Sequence, residues 1–234
     1  MAAMYRERLA ETVPEVRRRV ADAARASGRE PSSVRLVAVT KGHPLEALEA
    51  ALDAGLTDLG ENRVEELEQK AAALGAAGVT WHMIGHVQGR KAARAVAAAH
   101  LIHSVDSVHL AERISRAAGA AGTEARILVQ VNTSGEESKS GFEPGAVDEA
   151  VLAVAELPCL RVEGLMTMAP FVDDEAVLSD AFRRLRETSE RVRRHDPRVG
   201  AELSMGMTND LDIAVREGST MVRIGTALFG ERGA

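Results

Sequence analysis

Along this chain of 234 residues, short apolar runs alternate with amphipathic stretches in units of roughly 20–35 residues. The apolar runs, at about 34–39, 57–60, 80–84, 101–105, 126–131, 160–166, 202–204 and 221–224, read as strands. The stretches between them carry helical spacing, as at 45–54, 64–74, 89–99 and 175–194, and Asp106-Ser107 supplies an N-cap for a helix reaching 118. A further helix over about 3–27 precedes the first strand, with Leu9, Val13, Val16 and Val20 on one face and Gly28 as its stop. Strands separated by helices pair in parallel through crossover connections. Eight such units without a linker favour one domain over 1–234, a closed (β/α)8 TIM barrel with an extra N-terminal helix. An open doubly wound sheet is the alternative, because periodicity does not report closure.

Composition removes several function classes. The net charge of −6 offers no basic field for nucleic acid, and aromatic residues, at 3%, are too few for base-stacking platforms. The single cysteine, Cys159, excludes an internal disulfide and fits a reducing compartment. No apolar run approaches the ~18–20 residues of a membrane span. The charged N-terminus has no apolar core of the signal-peptide kind. A cytoplasmic protein away from membranes is expected.

The run Leu36-Val37-Ala38-Val39-Thr40-Lys41 ends a buried strand in a lysine. In a barrel, strand C-termini share one face, where the chemistry sits. A desolvated lysine there is a nucleophile, and the competing reading is a lysine snorkelling from a strand end. Residues 203–208 and 223–227 end strands seven and eight with glycines and hydroxyls, the composition of a phosphate cradle, though Gly225-Thr226 also reads as a plain turn. Arg223 interrupts an apolar strand and needs an acceptor if it points inward. A lysine with a phosphate cradle opposite suggests a phosphorylated aldehyde held as a Schiff base, with pyridoxal 5′-phosphate (PLP) the leading candidate.

Seven motifs then occur in order: Ala38-Val39-Thr40-Lys41, Gly60-Glu61-Asn62, Trp81-His82-Met83-Ile84-Gly85, Ser138-Lys139-Ser140-Gly141, Gly164-Leu165-Met166-Thr167-Met168, Leu203-Ser204-Met205-Gly206-Met207, and Gly218 through Thr226. Together they resemble the pyridoxal phosphate homeostasis protein family, relatives of the N-terminal barrel domain of alanine racemase, over nearly the whole chain. The resemblance implies that Lys41 forms the Schiff base with PLP and that Arg223 faces the pyridine nitrogen. It also implies that Ser204, Gly225 and Thr226 contact phosphate, that Asn62 lies near the cofactor, and that Met166 packs beside the ring.

A racemase of this type uses a tyrosine from a further C-terminal domain as a second acid/base. This chain ends at Ala234, and its one tyrosine is Tyr5, in the leading helix. The expected role is therefore a monomeric carrier that buffers PLP within vitamin B6 and amino-acid homeostasis and supplies PLP-dependent apoenzymes. The alternative is a weak racemase or lyase with His82, His86 or Lys139 as its acid/base, and a third reading is a Schiff-base aldolase without PLP. No metal site is expected. His82 and His86 flank a strand end and lack the helical geometry of a zinc pair. The segment 135–140 fails the P-loop spacing, and Lys139 is read as ordering its loop beside Glu136 or Glu137, with a role in cofactor transfer the other possibility.

Overall fold

The computed structural model describes residues 2–75, 78–136, 140–143 and 145–231. Eight parallel strands close on themselves in chain order. They are β1 (Arg35–Val39), β2 (Asp58–Glu61), β3 (Thr80–Met83), β4 (Leu101–Val105), β5 (Ala125–Gln130), β6 (Leu160–Met166), β7 (Glu202–Ser204) and β8 (Met221–Ile224). Closure is made by β1 against β8, in the register Val37↔Arg223 and Ala38↔Ile224. The open-sheet alternative is thereby removed.

The crossover helices are α2 (Leu45–Asp53), α3 (Val64–Leu74), α4 (Ala92–Ala98), α5 (Val108–Ala120), α6 (Val147–Ala155), α7 (Glu175–His195) and α8 (Leu211–Arg216), following the added α1 (Ala2–Ala26). Ser107 caps α5, its hydroxyl accepting the Leu110 N–H at 3.2 Å. Asp174 caps α7 by accepting the N–H groups of Ala176 and Val177. A short helical turn, α9 (Thr226–Phe229), follows β8 where the sequence suggests only a tail. The added α1 buries Leu9, Val13, Val16 and Val20 against α2, α8 and α9, so it covers the seam where β8 meets β1. Most of the core lies between the strands and the helix ring.

Inside the barrel the packing changes character. Leu101, Leu128, Met166 and Met221 form a small apolar cluster of their own. At the amino end, Arg35 lies 3.8 Å from Asp58 and 3.5 Å from Glu202. Toward the carboxyl ends of the strands the interior holds the buried polar side chains His82, His103, Ser204 and Arg223 beside Val37, Val39 and Ile84. Among the described residues no helix is long and apolar enough to cross a membrane.

Candidate functional site

A cavity of about 560 Å³ opens at the carboxyl ends of the strands, a size suited to a small molecule. Lys41, Asn62, Arg223, Gly225 and Thr226 line it. Lys41 stands just past β1, where Thr40 leaves the strand by donating its N–H to the Gly60 carbonyl at 3.0 Å. Gly225 and Thr226 open the α9 turn directly after β8. Because β1 and β8 are neighbours, the expected cradle lies beside Lys41, one strand away, and not opposite it. Thr208, after β7, also lines the cavity, and its Oγ1 accepts the Ala227 N–H at 3.3 Å, which ties the β7 loop to the start of α9.

Ser204 and Met166 are not among the lining residues. Met166 belongs to the apolar cluster below, only 1% exposed. Ser204 is fully enclosed beneath Arg223. The Arg223 guanidinium donates to Ser204 Oγ at 2.5 Å and to the Thr167 carbonyl at 2.9 Å. An arginine has five N–H donors, so others remain to face the cavity. Burial pushes the Arg223 pKa down to about 10, with the Asp210 carboxylate acting against that shift. It remains a cation at neutral pH.

Below Arg223 runs a chain of hydrogen bonds that crosses the barrel interior. Ser204 Oγ lies 2.9 Å from His103 Nδ1, His103 Nε2 lies 2.9 Å from His82 Nδ1, and His82 Nε2 lies 3.0 Å from Asp58 Oδ1. Counting donors orders the protons. Arg223 can only donate, so Ser204 accepts from it and passes its own proton toward His103 Nδ1. His103 then donates through Nε2 to His82, and His82 donates through Nε2 to the Asp58 carboxylate. Each imidazole is thus a single neutral tautomer. Burial pushes both histidines below the usual imidazole range, His103 well below it, with the neighbouring His82 and Arg223 adding to the shift. The Asp58 carboxylate opposes the shift at His82.

Further residues of the site come to light only in three dimensions. Gln130 lines the cavity and donates to the Ser140 carbonyl at 2.8 Å. Asp210 lines it too, and its Oδ1 accepts the Met207 N–H at 2.5 Å. Burial raises the Asp210 pKa, against the pull of that N–H and of Arg223. Met168, Pro170 and Phe171 form one rim, with Phe171 89% exposed. His86 lines the cavity and lies 3.0 Å from Asp106. His82 sits below in the interior chain, so the two histidines serve separate surroundings. Tyr5 lies on the buried face of α1, its hydroxyl 3.3 Å from His43 Nδ1. Lys139 falls outside the described residues. Among the described residues no three His, Cys, Asp or Glu side chains converge to hold a metal ion.

The family model for the N-terminal domain of alanine racemase matches residues 14–233. A pyridoxal phosphate homeostasis protein of Pseudomonas aeruginosa is 41% identical over 225 residues, covering 96% of each chain. This chain belongs to the pyridoxal phosphate homeostasis protein family. The family's barrel recurs closely in solved structures. An unknown protein from Bifidobacterium adolescentis superposes with a TM-score of 0.90 at 38% identity, covering 97% of this chain and 96% of that one. PipY of Synechococcus elongatus, solved with PLP bound, superposes with a TM-score of 0.80 at 36% identity, covering 90% of this chain and all of that one.

Proposed function

We propose that this chain carries PLP as a Schiff base on Lys41 and acts as a reservoir for the cofactor, without turning over a substrate of its own. The observation that carries this reading is the convergence of Lys41, the Arg223 cation and the Gly225-Thr226 turn on one cavity. The groups present suit the cofactor. The Lys41 amine suits an aldehyde, spare guanidinium donors suit a ring nitrogen, and hydroxyl and backbone donors at Thr208, Gly225 and Thr226 suit a phosphate. The PLP-bound PipY, at 36% identity, supports the same assignment. When bound, the cofactor supplies an aldehyde that condenses with an amine and a ring that withdraws electrons.

The residues of this chain divide the work as follows. Lys41 supplies the amine. Arg223 donates a hydrogen bond toward the ring nitrogen and keeps its proton, so the ring remains a weak electron sink. The chain from Ser204 to Asp58 holds Arg223 from below. Among the acid/base candidates within the described residues, His82 is occupied in that chain and Tyr5 lies away from the cavity. This leaves His86, Asp210 and Lys41 itself as the titratable side chains on the cavity wall, and no tyrosine among them. Release of cofactor to PLP-dependent apoenzymes, and an influence on vitamin B6 and amino-acid balance, complete the proposed role.

One observation favours a second reading, a weak PLP enzyme: His86 reaches the cavity wall. A single set of samples tests both. PLP added to the purified chain is expected to give an absorbance band near ~420 nm, the mark of its lysine adduct, and Lys41→Ala is expected to abolish it. A band that survives in Lys41→Ala would refute the tether. The loaded chain, incubated in D2O with L-amino acids, is expected to leave their α-protons in place. Exchange lost in His86→Ala would establish the enzyme reading instead.

A further inference from the structure

Gly60-Glu61-Asn62 sends Asn62 to the cavity, whereas Glu61 is fully buried and meets Lys70 of α3, itself a buried side chain. Lys70 Nζ donates to three oxygens, each at 2.7 Å: Glu61 Oε1, Glu66 Oε1 and the backbone carbonyl of Thr40. That uses all three donors of its ammonium. Thr40 Oγ1 donates to Glu61 Oε1 at 2.5 Å, and Glu66 Oε1 accepts the Gly42 N–H at 2.6 Å.

What matters is which peptides are held. The Thr40 carbonyl belongs to the peptide plane before the Lys41 α-carbon, and the Gly42 N–H belongs to the plane after it. Peptide planes are rigid, and their relative rotation is the φ and ψ of the residue between them. One ion pair, Lys70 with Glu66, therefore grips both planes around Lys41 and fixes the direction in which its side chain leaves the backbone. Lys41 and Gly42 are the central residues of a tight turn, closed by the His43 N–H donating to the same Thr40 carbonyl at 3.0 Å, with Gly42 at φ +72°, where an L side chain is disfavoured; the ion pair braces this turn from the side of α3.

Stability of α3 does not account for this arrangement. The pair Glu66–Lys70, four residues apart on the helix, would serve that purpose alone. Glu61 adds a second carboxylate at zero exposure, and its Oε2 has no hydrogen-bond partner. Such burial is costly, and it occurs one residue before Asn62 of the cavity wall, on a carboxylate bonded to Thr40, the residue before Lys41. Burial raises the Glu61 pKa against the hydrogen bonds from Lys70 and Thr40. At Glu66 burial also acts upward, but the hydrogen bonds from Lys70 and Gly42 outweigh it and hold that carboxyl ionised.

We infer that Lys70 and Glu66, anchored by Glu61, are positioning residues for Lys41: they hold the peptides on either side of it, so that its amine enters the cavity aimed at a carbonyl ligand. The inference rests on reading Lys41 as the tether for PLP, and the test separates the two. It compares the full chain with Lys70→Met and with Glu66→Ala, the latter partly exposed and so tolerant of change. Three quantities are measured: amide hydrogen exchange at Gly42 without ligand, the rate at which the ~420 nm band appears on adding PLP, and the affinity for pyridoxine 5′-phosphate, which lacks the aldehyde.

In Glu66→Ala, exchange at Gly42 is expected to quicken about tenfold and band formation to slow about tenfold, with the affinity for the analogue within about threefold of the parent. Glu66→Gln, which restores an acceptor for the Gly42 N–H, is expected to recover most of both. Parental exchange and parental band formation in Glu66→Ala would overturn the inference, whatever Lys70→Met does. So would a loss of band formation matched by an equal loss of affinity for the analogue, since that is general damage to the cavity. Faster exchange in a chain whose parent forms no band would support the clamp and sink the carrier reading.

Discussion

His103 is enclosed on every side and spans Ser204 and His82 with its two ring nitrogens. That geometry demands a neutral ring, and burial enforces it by depressing the folded-state pKa well below the usual imidazole range. The sign of the resulting pH dependence follows directly. Below about pH 6.5 the unfolded chain takes up a proton at this histidine and the folded chain does not, so stability falls as the solution is acidified. A fully excluded histidine costs on the order of 1 kcal/mol between pH 7.5 and 5.5, and His82, shifted in the same direction, adds a smaller amount because Asp58 opposes its shift. Urea denaturation at the two pH values is expected to show this loss, and His103→Gln is expected to remove the larger share. An unchanged slope in His103→Gln would mean that the ring takes up its proton in the folded barrel as readily as in the unfolded chain, and the proton order from Arg223 to Asp58 would then be wrong. The signal for a polar barrel interior was present in the residues. His82 in Trp-His-Met, His103 in Leu-Ile-His-Ser-Val, Gln130 at the end of Ile-Leu-Val-Gln and Arg223 in Met-Val-Arg-Ile are each a polar residue at an inward phase of an apolar strand. Arg223 was legible as a cofactor contact and His82 only as an acid/base candidate, because the two histidines satisfy each other through a register that crosses from strand to strand, and Gln130 turns to the Ser140 carbonyl.

At the scale of elements, the loops at the carboxyl ends of the strands depend on close backbone approach. Gly85, just past β3, lines the cavity, and a Cβ placed there would lie 2.3 Å from the Asn62 carbonyl oxygen. Since that neighbour is backbone, the loop after β2 would have to move. Gly85→Ala is expected to displace Asn62 from the cavity wall and to destabilise the fold by about 1–3 kcal/mol, the usual penalty of overpacking. Thermal unfolding together with PLP titration checks this, and parental behaviour in both would show that the loop has slack. Boundaries of this kind were partly legible. Strands β4, β6, β7 and β8 and helix α3 fall where the apolar pattern sets them, since each is a clean run between Gly, Pro or polar stops. The α9 turn escaped because four residues carry no helical period. The break of 89–99 into a 3₁₀ turn at Gly89–Lys91 followed by α4 escaped because the alanine-rich stretch reads as continuous helix. Whether the phosphate cradle lies opposite Lys41 or beside it depends on closure between β1 and β8, a contact between the two ends of the barrel sequence to which a local pattern is blind.

For the molecule as a whole, closure has an energetic consequence. Lys41 and the Thr226 turn belong to the first and last strands, and α1 packs over the seam between them. A ligand that joins Lys41 covalently and rests on the β8 turn therefore bridges the two ends of the barrel, and it stabilises only the closed form. Linkage sets the size of the effect: at a ligand concentration of 100 Kd the gain is about 2.7 kcal/mol. For a chain in this size class, that corresponds to a rise of roughly 5–10 °C in the unfolding midpoint. Saturating PLP is expected to raise the midpoint of the parent chain by this amount. Lys41→Ala, which keeps the cavity's other polar groups, is expected to show less than half of the rise. Inorganic phosphate alone, which reaches the turn and not the amine, is expected to give a smaller shift in both. An equal shift with PLP in the parent and in Lys41→Ala would assign the binding energy to Arg223 and the β8 turn. Lys41 would then be a bystander to affinity, and its covalent link, if formed, would govern how slowly the cofactor leaves and not how tightly it is held.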